Sequence, residues 1–219
     1  MKKAIKISFL AILICTLVLG LFVGAVLIED RIKSPTEFNH FKYQNESEFW
    51  ENSQKYGYTL MPGLFEKERS EWEFSTTLYY KNRELVRTRN VWQISFKDTE
   101  SFELVRVDIT TNPSNSMLSK LTKNQWMNGI KKHVNATNEW YELVETTVSN
   151  VTINGIVYMV RNNDERKYCM ALSCDASKDL NVKISLTLPI EGENHDKDGL
   201  YNKCLETVST ILENVVLCY

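Results

Sequence analysis

Hydrophobic and polar positions follow three different patterns along this chain. From Ile7 to Ile28 there is no alternation at all: every residue is uncharged. Lys2, Lys3 and Lys6 precede the run, and Glu29, Asp30 and Arg31 end it. As a helix this run reaches about 33 Å, enough to cross a hydrocarbon core roughly 30 Å thick. The basic cluster comes first, so the positive-inside tendency makes residues 1–6 a cytoplasmic tail and residues 7–28 a transmembrane signal anchor, with the remaining chain outside the membrane. The alternative is a signal peptide cleaved after Ala25, at the small residues Val23-Gly24-Ala25. Such peptides have apolar regions of about 7–15 residues, and this one is longer. Cys15 follows Ile14, not a small residue, and reads as a membrane-buried cysteine and not a lipid attachment site. Gly20 and Gly24 form a GxxxG pair, a spacing at which two membrane helices can approach closely.

Residues 29–56 read as a juxtamembrane linker, Asp30 to Lys42 with Pro35 inside it, followed by a short helix. Asn45 stands as its N-cap with Glu48 three residues on, and Gly57 stands where a C′ glycine belongs. Phe49, Trp50, Ser53 and Tyr56 fall on one side of that helix. From residue 57 a period of two takes over and defines the domain 57–219. Tyr58 to Met61 is a short strand broken by Pro62-Gly63. Trp72, Phe74, Thr76, Leu78 and Tyr80 alternate with Glu73, Ser75 and Thr77, as a half-buried strand requires. Lys81-Asn82-Arg83 turns the chain into Leu85–Phe96, and Val105, Val107 and Ile109 mark another strand.

The helical period returns after Asn112–Asn115. Thr122 and Gln125 form a capping box, and Trp126, Met127, Ile130 and Val134 an apolar stripe. Strands resume at Trp140–Val148 and Val151–Val160, where Asn154-Gly155 favours a tight primed turn. Tyr168, Met170 and Leu172, then Val182, Ile184, Leu186 and Leu188, give two more strands. Tyr201, Cys204, Leu205, Val208, Ile211, Leu212 and Val215 line one face of a final helix, with Glu206 and Glu213 on the other. Consecutive strands joined by short turns predict an α+β fold: an antiparallel sheet with helices packed on it, preceded by the membrane helix.

Composition supports a globular domain: 43% hydrophobic and 25% charged residues, with a formal net charge of -2. That charge provides no basic field for nucleic acid. Beyond the membrane run lie Cys169, Cys174, Cys204 and Cys218. In an oxidising compartment they permit disulfides, and free buried thiols are the alternative. Cys169 and Cys174 lack CxxC spacing. Sequons occur at Asn45, Asn135 and Asn150, as many as an Asn-, Ser- and Thr-rich chain yields by chance.

The element order carries a resemblance. Two strands (Val91–Phe96, Val105–Thr111), a helix (Gln125–Val134), a strand (Tyr141–Val148), Val151-Thr-Ile-Asn-Gly-Ile156, further strands and a C-terminal helix follow one another. From Tyr58 to Val215 this resembles the PsbP-like superfamily, which includes LpqN-type bacterial envelope lipoproteins and photosystem extrinsic subunits. The resemblance implies an antiparallel sheet sandwiched by helices and a binding or assembly role at a membrane surface. The superfamily has no common catalytic site, so no residue roles carry over.

Chemistry-bearing motifs are scarce. His40, His133 and His195 have no Cys, Ser or carboxylate partner at a motif spacing, and GxSxG, HExxH, P-loop and GxGxxG are absent. Asn194, Asp196, Asp198 and Gly199 mimic positions 1, 3, 5 and 6 of a calcium loop, but position 12 is Leu205 where a bidentate carboxylate is needed. Asp198 is better read as the cap of the final helix. Glu66 to Glu73 reads as a solvated connection between strands.

No catalytic, cofactor-binding or metal-ligating residues are therefore assigned, and no cofactor is expected. The expected function is a non-catalytic binding or assembly module on a single-pass membrane anchor. Its partners are the lipid bilayer through residues 7–28 and a protein of the envelope, not nucleic acid. The alternatives are a secreted protein that binds a small ligand or metal, and an envelope enzyme.

Overall fold

In a computed structural model, residues 2–54, 58–60, 69–96, 102–111, 128–129, 131–132, 140–148, 150–162, 165–177, 180–190 and 196–217 are described. The chain divides into two compact units, Met1–Ser34 with Ser114–Trp126, and Pro35–Pro113 with Met127–Tyr219.

In the first unit, α1 runs from Lys2 to Lys33 as one continuous helix. Its stretch Ile12–Glu29 is long and apolar enough to cross a membrane, a property that signal sequences share. Leu17, Leu21, Phe22 and Ile28 lie exposed along it, as a lipid-facing helix requires.

The second unit is an α+β fold. Its elements are β1 (Glu37–Tyr43), α2 (Glu46–Gln54), β2 (Tyr58–Leu60), β3 (Arg69–Lys81), β4 (Glu84–Phe96), β5 (Leu104–Thr111), β6 (Tyr141–Val148), β7 (Val151–Asn162), β8 (Glu165–Ser177), β9 (Leu180–Ile190), α3 (Lys197–Glu213) and β10 (Val215–Leu217). Eight strands form one sheet in the order β1-β3-β4-β5-β9-β8-β7-β6, and β2 pairs with β10 separately. Every pairing is antiparallel. Two meanders, β3-β4-β5 and β6-β7-β8-β9, meet where β5 pairs with β9.

The alternation read from the sequence sets the two faces. Phe74 opposes Trp92, Trp92 opposes Val107, Val107 opposes Ile184, and Ile184 opposes Leu172, so the apolar set continues from strand to strand. α2 and α3 both cover this face: Phe49, Trp50, Cys204, Val208 and Ile211 share one buried cluster with it. Phe49 stacks on Phe74 with ring centroids 5.7 Å apart. Each such buried aromatic or aliphatic side chain stabilises the fold by about 1.5–3 kcal/mol. Residues 128–129 and 131–132, inside the expected Gln125–Val134 helix, are helical, and the rest of that segment lies outside the described residues.

Several local readings change. Glu37–Tyr43 is an edge strand on β3, not part of a linker. Its isolated pattern is unremarkable; the outer edge of β3 recruits it through backbone hydrogen bonds. Asn154-Gly155 is no turn but lies inside β7, because the neighbouring backbone approaches there. A Cβ on Gly155 would sit 2.3 Å from the Ala171 carbonyl oxygen and 2.5 Å from Leu172 Cδ2. The turn falls earlier, at Asn150, which has φ 63°. The charged run to Glu73 is strand from Arg69 onward. The last helix stops at Glu213, and Val215 begins β10.

Caps follow the expected chemistry with one shift. The Glu48 amide donates to Asn45 Oδ1 at 2.9 Å, and Glu48 Oε2 accepts from the Gln44 amide at 3.2 Å, closing α2 reciprocally. α3 is capped by Asp196, whose Oδ1 accepts from the Gly199 amide at 3.1 Å. Asp198 lies in the first turn instead. The β3–β4 hairpin turns at Asn82 and Arg83, both at positive φ. Gly57, Pro62-Gly63, Thr122, Gln125, Trp126, Met127, Ile130 and Val134 lie outside the described residues.

Candidate functional site

The face of the sheet opposite the helices carries the polar side chains of the central strands. Small residues, Ser75, Ala171 and Ser173, are buried on it between longer neighbours, as are Val91, Ile156, Cys169 and Asp108. Register makes it a surface of cross-strand pairs. Arg89 on β4 donates through Nε to both Asp108 oxygens on β5, at 3.0 and 2.9 Å, and its Nη2 bonds the same carboxylate. The bond to Asp108 holds the Arg89 guanidinium above its ordinary range despite partial burial. Arg106 Nη1 donates to Gln93 Oε1 at 2.7 Å, and the Glu73 carboxylate stands 3.9 Å away. Lys167 Nζ lies 2.7 Å from Glu103 and 3.5 Å from Glu165. The hydrogen bond to Glu103 is the main reason the Lys167 ammonium is raised.

At the β8–β9 end, Asn181 Nδ2 donates to the Cys174 carbonyl at 2.9 Å and to Asp175 Oδ1 at 2.8 Å, with Ser173 Oγ at 3.4 Å. These cations and amides are matched locally by carboxylates and carbonyls. Such a face offers many short-range hydrogen bonds and little long-range field, which suits selective contact more than electrostatic capture.

Two of the buried thiols are poor nucleophiles. Burial pushes the Cys169 thiol up, while its hydrogen bonds with Thr187 and Tyr158 oppose the shift. The Cys204 thiol, on the face of α3 that packs into the core, is pushed up to about 12 by burial. Both therefore stay protonated, the unreactive form. Cys169, Cys174 and Cys204 carry free thiols, and Cys218 lies outside the described residues. Cys169 and Cys174 sit five positions apart on one strand, so they point to opposite faces.

His40 Nδ1 is 2.9 Å from Thr77 Oγ1, bridging β1 and β3; His133 and His195 lie outside the described residues. No group of three or more His, Cys, Asp or Glu able to hold a metal occurs among the described residues. Of the calcium-like loop, Asp196 is engaged as a cap, Leu205 packs against the core, and Asn194 lies outside the described residues. Of the sequons, Asn45 is exposed but its side chain caps α2, Asn150 occupies the exposed turn before β7, and Asn135 is outside the described residues.

A second cluster lies beneath the start of α3. The Lys197 ammonium sits 4.6 Å from the Trp140 ring centre, and Trp140 stacks on Tyr168 at 6.4 Å. Tyr168 is fully buried, and its hydroxyl has no hydrogen-bond partner among the described residues. Desolvation, reinforced by nearby Cys204, Tyr201, Glu142 and Asp198, raises that phenol far above its ordinary range. Sequence reasoning passed over the Arg89–Asp108 pair because the two residues lie 19 apart and only the β4–β5 register joins them. The placement of Asp108 on the polar side of an alternating strand was the available signal.

No family model matches this chain, and no curated protein matches it either. Among solved structures, it is similar to LpqN, a protein involved in cell envelope biogenesis of Mycobacterium tuberculosis. The identity is 5% and the TM-score 0.31, over 84% of this chain and 93% of that one, a weak likeness at the level of the fold.

Proposed function

We propose that this protein is a single-pass membrane protein whose α+β domain stands outside the cytoplasm and acts as a non-catalytic binding or assembly module. The observation that carries the reading is α1: an apolar helix of membrane length that continues unbroken through the Ala25 cleavage position to Lys33. Lys2, Lys3 and Lys6, in its first turns ahead of the apolar run, orient the N-terminus to the cytoplasm. The lipid bilayer is one partner, through residues 7–28. A protein of the envelope is the other, and the face bearing Arg89, Arg106, Asp108 and Asn181 offers it the cross-strand pairs described above. Protonated thiols and the locally paired charges support a role without catalysis.

Protease added to spheroplasts should remove the domain and leave a small membrane-retained fragment, while alkaline carbonate should not extract the intact chain. Full protection of the domain would refute the topology. A mature chain beginning at Val26 would instead favour the secreted reading.

A further inference from the structure

We propose that β1 is a docking edge for a second copy of this chain, the two strands pairing antiparallel about His40 so that two eight-stranded sheets run on into one. The pairing involves β1 alone and holds for an anchored or a cleaved chain.

A strand at the rim of a sheet presents a row of unpaired amides and carbonyls, and folds guard such rims with proline, bulges or charged side chains. β1 is the outermost strand of the sheet, and no strand lies beyond it among the described residues. Glu37–Tyr43 contains no proline, and no register shift interrupts its pairing with β3. Its charged side chains, Glu37 and Lys42, stand toward its two ends and leave the middle unguarded. The opposite rim differs: β6 exposes both Glu142 and Glu145, so two copies of it would bring four carboxylates together.

The side chains of β1 lie open to water from Glu37 to Lys42. Phe38, His40 and Lys42 oppose Tyr79, Thr77 and Ser75, on the face away from α2 and α3, while Asn39 and Phe41 oppose Leu78 and Thr76 on the other face. Phe38 is 68% exposed and Phe41 44%, so both faces of this rim leave an aromatic ring in water.

Reversed, β1 complements itself. With His40 opposite its own copy, every residue meets one from the same face, as an antiparallel two-fold requires. Phe38 then meets Lys42 twice, a ring against an ammonium. Asn39 meets Phe41 twice, so each exposed ring gains a neighbour. The acidic end of each strand lies beside the basic end of the other, whereas a centre at Phe41 would set His40 against Lys42. Thr77 Oγ1 holds His40 Nδ1 at 2.9 Å, which leaves Nε2 for the imidazole of the copy.

The test uses the full chain in detergent, carrying Cys15→Ser and Cys218→Ser, with single cysteines placed along β1; Cys169, Cys174 and Cys204 are buried. His40→Cys should link to its own copy under mild oxidation, because residues directly opposite have Cα atoms about 4.5–5.5 Å apart. Lys42→Cys should not link to itself, since its copy lies four residues off, about 14 Å away. It should link to Phe38→Cys when the two chains are mixed. Sedimentation supplies a second reading. His40→Glu and His40→Lys should each weaken self-association about tenfold, and mixing them should restore it, which misfolded variants could not do. Equal self-linking at positions 38, 40 and 42, or one copy per micelle at every concentration, would overturn the proposal. Capture of a different protein by His40→Cys in native membranes, with no self-link, would overturn it too.

Discussion

Gly155 shows how much one hydrogen in place of a methyl group can decide. Its missing Cβ lets the β8 backbone close against β7, with the Ala171 carbonyl 2.3 Å from where that atom would be. Backbone cannot yield as a flexible side chain does. Gly155→Ala should therefore cost about 3 kcal/mol, the upper end for overpacking, despite the smaller entropy of its unfolded chain. An unchanged urea midpoint in detergent would contradict the close approach. Tyr168 poses the opposite case. Its hydroxyl is buried with no partner among the described residues, so Tyr168→Phe removes an unsatisfied polar group. The variant should be neutral or more stable by up to about 1 kcal/mol, and a loss of stability in thermal denaturation would argue for a partner in solution.

At the scale of elements, hydrogen-bond supply at the ends matters as much as periodicity. The apolar stripe of the final helix identified Cys204, Val208 and Ile211 as inward-facing, and all three are fully buried. The stripe could not choose between Asp196 and Asp198 as cap. Asp196 wins because its extended backbone lets Oδ1 reach the Gly199 amide. A Cβ on Gly199 would meet Asp196 Oδ2 at 2.5 Å, so the glycine and the cap belong together. Asp196→Ala should destabilise by about 1 kcal/mol, whereas Asp198→Ala should cost less. Comparison of the two denaturation midpoints checks the assignment, and the reverse ranking would refute it. Edge strand β1 makes the same point: its side chains are nearly all exposed, so periodicity had no buried face to report.

For the whole domain, thiols and phenols taken out of water tie stability to pH. Burial raises the Cys204 thiol from 9.0 to about 12 and the Tyr158 phenol from 10.0 to about 12. Above about pH 9 the unfolded chain releases protons that the fold retains, so stability must fall as pH rises. The slope is at most about 1.4 kcal/mol per pH unit for each group. Denaturant midpoints should hold steady below pH 9 and decline from there to about 12; constant midpoints across that window would show these groups to be solvated. Native Cys204 should likewise resist alkylation at neutral pH.

The chain alone determined what depends on short windows. These are a run of membrane length, the inward faces of strands and helices, antiparallel hairpins, and the scarcity of catalytic motifs. Each follows from whether neighbours in sequence meet water or apolar surroundings. Tertiary structure alone decided which strands lie side by side. The β5–β9 junction closes two separate meanders into one sheet, β1 joins as an edge, and β2 finds β10 from the far end of the chain. Arg89 meets Asp108 for the same reason. Backbone hydrogen bonding is nearly blind to side-chain identity, so partner choice is fixed by how the complete set of apolar faces packs, which no local window contains.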